Sequence, residues 1–334
     1  MNASVALEKS NKVNLVDAVN QALRFEMGHD ENVVLLGEDI ATNGGVFRAT
    51  AGLRDEFGFK RVMDTPLAEA MIAGTAIGMA AQGLKPVAEI QFMGFIFPAL
   101  EHLICHAARL RNRTRGRLQC PLVIRAPFGG GIHAPEHHSE STEALLAHIP
   151  GIRVVIPSSP KRAYGLLLAA IRNPDPVLFL EPKRIYRTVE QNVPNNGDAL
   201  PLDTCFTLKA GTDITLVTWG AMVQETMIAA KQLEQQGINA EVIDVATIKP
   251  LDMETIAYSV QKTGRCVIVH EACGSFGVGA EIAAQLTEHN LLDLQAPIVR
   301  VTGYDAVMPY FRTEQNYLIQ TEDIVEAVEK VLSF

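Results

Sequence analysis

The chain has 334 residues, of which 48% are hydrophobic and 20% charged, with a net charge of −9 and a pI of about 5.5. That length predicts about two domains, and an acidic chain without long Lys/Arg runs excludes nucleic acid as an expected partner. The five cysteines are scattered, with no CxxC spacing, which excludes a disulfide framework or zinc ribbon and predicts reduced thiols in the cytoplasm. The opening MNASVALEKSNKVN has no signal-peptide core, and no apolar run reaches the length of a membrane span.

In chain order the signals alternate between helix and strand. Leu15, Ala18, Val19, Ala22 and Leu23 keep helical spacing, and Val33 to Leu36 is a buried-strand run ending in Gly37-Glu38-Asp39. Acidic residues at the carboxyl end of a parallel strand stand where open α/β sheets bind ligands; the competing reading is a polar loop. Thr65-Pro66 predicts a helix start, with the hydroxyl as N-cap and proline at the first helical position. Glu69 falls one turn in, near the positive end of the helix dipole. Ala70, Gly74 and Gly78 then leave one helix face nearly free of bulk, Gly83 ends the run, and Val87 to Phe92 reads as a strand. On spacing alone this is equally a tight core helix with a solvated glutamate.

Ala99 to Leu110 reads as a helix, followed by alternating arginines from Arg109 to Arg117 that suit a solvated face, or a phosphate or acidic subunit. Pro121 to Arg125 reads as a strand opening into Gly129-Gly130-Gly131, which matches neither GxGxxG nor a Walker loop. His133, His137 and His138 follow within six residues. No metal-ligand spacing supports them as a metal site, so acid–base chemistry and a polar loop remain as readings. Val154–Pro157 and Val177–Leu180 are strands around a helix from Lys161 to Ile171, completing a domain with a mainly parallel sheet.

The polar stretch Thr188 to Asp203 reads as an interdomain linker, its core being 191–203. Beyond it the rhythm repeats, with strands at Ile214–Thr218, Ala240–Asp244, Cys266–His270 and Ile298–Val301. Helices are predicted near Val223–Gln236, Gly279–Glu288 and Thr321–Leu332. Apart from His270-Glu271 this half offers few convergent polar groups, so a packing, dimerising or docking domain is expected.

GEDIATNGGVFRATAGL, DTPLAEA, GLKPVAEIQF, IRAPFGGG, EHHSES, DPVLFLEPKRIYR, IDVATIKPLD and VIVHEA occur in this order. Together they resemble the β subunit of a 2-oxo acid dehydrogenase E1 component, with pyruvate dehydrogenase the most similar and the branched-chain and acetoin enzymes near relatives. The resemblance implies two α/β domains: a transketolase-like pyrimidine-binding domain (1–190) with a mostly parallel sheet, and a transketolase C-terminal-like domain (204–334). It implies thiamine diphosphate as cofactor, shared within an α2β2 heterotetramer, and docking on an E2 dihydrolipoyl acyltransferase core. The GDG motif that holds pyrophosphate and Mg²⁺ in such enzymes is absent from this sequence, so that half of the site is expected from the E1 α subunit.

On the resemblance, Glu69 is the carboxyl group that hydrogen-bonds N1′ of the aminopyrimidine, with a pKa raised by partial desolvation. Phe95 stacks on that ring, although Phe92, Phe95 and Phe97 read without the family as core. Glu38 stands near Glu69 in a proton relay. His138 acts as acid when the hydroxyethyl group passes to lipoamide, with His137 as the neighbour that could be mistaken for it. A structural K⁺ held by backbone carbonyls is implied near Ile171, Asn173 and Asp175. The alternatives to a pyruvate enzyme are a branched-chain or acetoin β subunit, or a non-catalytic scaffold of such a complex.

Overall fold

The structure, a computed structural model, describes residues 12–334. The opening segment read as lacking a signal peptide lies almost wholly outside the described residues. The first half is organised on a seven-stranded sheet. Its order is Thr247–Lys249, Arg153–Val155, Val177–Pro182, Val123–Phe128, Lys85–Glu89, Val33–Gly37 and Val62–Asp64. Every pairing is parallel except that of Thr247–Lys249, which runs antiparallel. A sheet buried on both faces explains the continuous apolar runs of its strands. Along Val33–Gly37, for instance, Val33 and Leu35 enter one core cluster and Leu36 the other.

One face is covered by helices Leu15–His29 and Pro160–Arg172, which pack against each other. Both start on side-chain caps: the Asn14 side chain accepts from the Asp17 amide, and that of Ser159 from the Arg162 amide, with Pro160 in the first turn. The other face carries helix Glu69–Ala81 and a broken helical stretch from Met93 to Arg113. That stretch, expected as one helix over 99–110, alternates 3-10 and α turns around Pro98 and His106. Arg109, Arg113, Arg115 and Arg117 are exposed, whereas Arg111 is half-buried and pairs with Asp175.

Helix Glu69–Ala81 begins later than Thr65-Pro66 predicts. Its N-cap position is Ala68, with no side-chain cap. The Thr65 amide instead donates to the Gly37 carbonyl at 3.0 Å, which ties this residue to the neighbouring strand. Glu69 is therefore the first helical residue.

The second half holds a five-stranded sheet in the order Val299–Gly303, Cys266–Cys273, Ile214–Thr218, Ala240–Asp244 and Phe206–Lys209, with only the last strand antiparallel. Helices Met222–Gln235, Met253–Thr263, Val278–Asn290 and Thr321–Leu332 flank it. The connecting segment is fastened down: Gln191–Asn192 pairs with Lys12–Val13, and Leu200 donates its amide to Gly165 at 3.0 Å. Thr247–Lys249 extends the first sheet from the second half, so the two domains share a sheet edge and one apolar cluster.

Candidate active site

The topology marks one place for a ligand. From Val33–Gly37 the chain moves outward to Val62–Asp64, then crosses back to Lys85–Glu89 on the other side. The crevice beyond the carboxyl ends of Val33–Gly37 and Lys85–Glu89 is thus a switch point, where open α/β sheets bind ligands. Glu38 leaves the first of these strands and the Phe92–Phe97 segment follows the second.

Glu38 is 6% exposed, and its Oε1 has no hydrogen-bond partner. Burial raises its pKa, the Glu69 and Asp39 charges raise it further, and the Ala68 amide partly opposes them. Glu69 is half-buried at the start of its helix, and its flanking Leu67 and Met71 are exposed at 81% and 41%. The helix packs on Met93–Ala99, which places Phe95 in the same wall.

Phe95 is half-buried, packing against the core cluster on one side and facing an aromatic group on the other. Its ring lies 5.9 Å from Phe92 and 5.2 Å from both His137 and His138, while Phe92 meets His138 edge-on at 4.3 Å. Gly94 makes that approach possible, because a Cβ there would lie 2.0 Å from the His137 carbonyl oxygen. His137 is exposed, whereas His138 is half-buried with a buried Nδ1 that has no partner. Burial lowers the pKa of His138, the His137 and Lys183 charges add to this, and the Glu136 charge opposes it.

Below these residues lies a charged triad that sequence reasoning missed. Arg125 donates to both Glu181 oxygens at 2.6 and 3.0 Å and to Glu89 at 2.8 Å, and the Tyr186 hydroxyl donates to Glu181 at 2.6 Å. All four residues are buried. Glu89 Oε1 also lies where a Cβ on Gly45 would fall, at 2.8 Å. The triad therefore ties together the ends of Lys85–Glu89, Val123–Phe128 and Val177–Pro182, the first of which leads into the Phe92–Phe97 segment, and its Glu89 abuts the Gly45 backbone. A charge closing each apolar run, in PVAE, VIR and LFLE, was its only signal in the sequence.

Asn173 and Asp175 fall in the loop after helix Pro160–Arg172, away from this crevice. There Arg111 holds Asp175 at 2.6 Å, and the Asn173 side chain accepts from the Asp175 amide at 2.9 Å. Among the described residues, no group of three or more His, Cys, Asp or Glu side chains is placed to hold a metal ion.

Two family models divide the chain as the fold does. Residues 11–189 match the model described as "Transketolase, pyrimidine binding domain", and residues 204–324 match "Transketolase, C-terminal domain". A solved structure titled "Split gene transketolase, inactive beta4 tetramer" superposes with a TM-score of 0.78 at 24% identity, over 96% of this chain and 98% of that one. These domains define a transketolase-like chain. A "Pyruvate dehydrogenase E1 component subunit beta" from Acholeplasma laidlawii is 50% identical over 96% of this chain and 98% of its own length. Its counterpart from Bacillus subtilis (strain 168) is 46% identical over 97% and 99%. The chain belongs to the pyruvate dehydrogenase E1 β-subunit family, the transketolase-like β chains of thiamine-diphosphate-dependent 2-oxo acid dehydrogenases.

Proposed function

We propose that this chain supplies the pyrimidine side of a shared active site in an α2β2 pyruvate dehydrogenase E1, which decarboxylates pyruvate and passes the acyl group to the lipoyl group of E2. The observation that carries the proposal is the unpartnered, buried Oε1 of Glu38 beside a half-buried Glu69 whose rim is exposed and apolar. Such a crevice suits a flat heteroaromatic ring with polar nitrogens, covered from the far side by another chain.

When bound, thiamine diphosphate supplies the electron sink for decarboxylation. Glu69 presents its carboxyl group to N1′ of the aminopyrimidine, and Phe95 offers an aromatic face to the ring. Glu38, whose carboxyl is raised by burial and by Glu69, is a proton reservoir behind it, since two neighbouring carboxyl groups resist ionising together. His138, held among Phe92 and Phe95, would be the group that supplies the proton needed for acyl transfer to lipoamide. With no GDG motif in this sequence, the pyrophosphate and Mg²⁺ fall, in this reading, to the α subunit.

A structural K⁺ on the backbone near Ile171, Asn173 and Asp175 is compatible with the loop. The Pro174 and Pro176 carbonyls accept the Cys120 and Arg153 amides, and a carbonyl has a second lone pair to offer. Exchanging K⁺ for Na⁺ is then expected to lower the melting temperature, and identical melting in both salts would remove this site. The five cysteines, all free, suit a reducing cytoplasm. No helix among the described residues is long and apolar enough to cross a membrane.

Pyruvate is preferred over branched-chain 2-oxo acids because the relatives sharing about half of this sequence carry the pyruvate name. The test is CO₂ release by the chain reconstituted with its α subunit, on pyruvate and on branched-chain acids in parallel. Turnover of pyruvate first is expected; preference for a branched-chain acid would reassign the substrate.

A further inference from the structure

The loop that carries His138 is gripped by the other domain. Gly131 and His133 both donate their amides to Glu314, at 3.0 Å each, and His133 Nδ1 lies 2.7 Å from Glu314 Oε2. Gly130 donates its amide to Glu271 Oε1 at 2.6 Å, and the Ser141 hydroxyl donates to the same oxygen at 3.3 Å. Glu314 sits in helix Phe311–Tyr317 and is 1% exposed; Glu271 lies on strand Cys266–Cys273. The second domain was expected to offer few convergent polar groups apart from His270-Glu271; Glu271 reaches the glycine-rich loop, and Glu314 joins it as a second buried carboxylate.

The loop is shaped to receive them. Gly129, His133 and Gly131 have φ of +79°, +59° and +82°. For His133 this left-handed conformation is unfavourable, and three contacts to one carboxylate offset it. A Cβ on Gly130 would lie 2.4 Å from Met308 Cε, and one on Gly131 would lie 2.3 Å from Arg184 Cδ, so the second domain and the Lys183–Ile185 turn both press on the loop backbone. Lys183, buried with no hydrogen-bond partner, lies in the field of Glu271, Glu314 and Glu140. Its charge compensates carboxylates that would otherwise be buried alone. Five residues beyond His133, the loop ends in His138 against Phe92 and Phe95.

We infer that Glu314 is a positioning residue of the second domain: by clamping Gly131 and His133 it fixes where the imidazole of His138 stands. This rests on the reading of His138 as the residue that serves acyl transfer. Glu314 touches no reacting group in this account, so its loss acts only through the loop.

The test uses the assembled α2β2 enzyme and separates its two half-reactions: decarboxylation read with an artificial electron acceptor, and acylation of a lipoyl domain. Glu314→Gln removes the charge that holds His133, and His133→Ala removes the same contact from an exposed side chain without touching the buried carboxylate. Lipoyl acylation is expected to fall about tenfold or more with Glu314→Gln, since small misplacements of a reacting group are costly. His133→Ala should fall less, and acceptor-linked decarboxylation should hold. Adding Glu314→Gln to His138→Ala should cause no further loss of acylation, because both act through one imidazole. Unchanged acylation in both clamp variants, or an equal loss of both half-reactions, would overturn the inference. If His138→Ala itself retains acylation, the reading of His138 fails, and the clamp with it. If only His138→Ala loses acylation, the clamp alone is wrong.

Discussion

Glu69→Gln is expected to reduce 2-oxo acid decarboxylation by about 10²-fold or more, the scale on which a positioned acid–base group contributes, while the complex still assembles. The substitution keeps the shape of a half-buried side chain at the first helical residue. It removes the titrating carboxyl group, and with it the charge that raises Glu38. Gel filtration of the reconstituted complex alongside a CO₂-release assay checks both halves of this expectation. Near wild-type turnover would mean that Glu69 is only a helix-start carboxylate, favoured by the dipole. A milder fall is expected of Glu38→Gln, because Glu38 acts through its neighbour.

The second large effect is on stability. Arg125→Met would leave Glu89 and Glu181 facing each other in the sheet, both buried and without the guanidinium that binds them. Breaking a buried ion pair from one side costs about 3–5 kcal/mol, which for a domain of this size lowers the melting temperature by about 10 °C. The charge imbalance is the cause, so adding Glu89→Gln and Glu181→Gln to Arg125→Met should recover much of the loss. Thermal melts of the three proteins check it. A single variant that melts with the wild type would show that solvent or rearrangement already screens the triad.

Much of the frame was legible because parallel sheets advertise themselves: Val33–Leu36, Val177–Leu180 and Cys266–His270 are apolar runs too continuous for a surface. Glu38 was legible as a strand-end residue, whereas Phe92, Phe95 and Phe97 read on their own as core and stood out only through the resemblance; the strand also ends at Glu89 and not at Phe92. What stayed hidden depended on long-range pairing. Thr247–Lys249 has only three residues and no periodicity, and it becomes a strand because the edge of Arg153–Val155 accepts it. Glu314 lies 183 residues from Gly131 and 181 from His133, so no local pattern could join them. The helix start was misplaced for a local reason: Thr65 looks like a cap, but its amide is already committed to Gly37, and the helix forms only once the chain has turned away from that strand.

In the proposed reading this chain holds half of a shared cofactor site, with Glu38, Glu69 and Phe95 on its side. Thiamine diphosphate retention should therefore be measured calorimetrically for this chain alone, for its α subunit alone, and for the two reconstituted together. Tight retention and CO₂ release from pyruvate only in the mixture is the predicted result. Retention and turnover by this chain by itself would contradict the shared site.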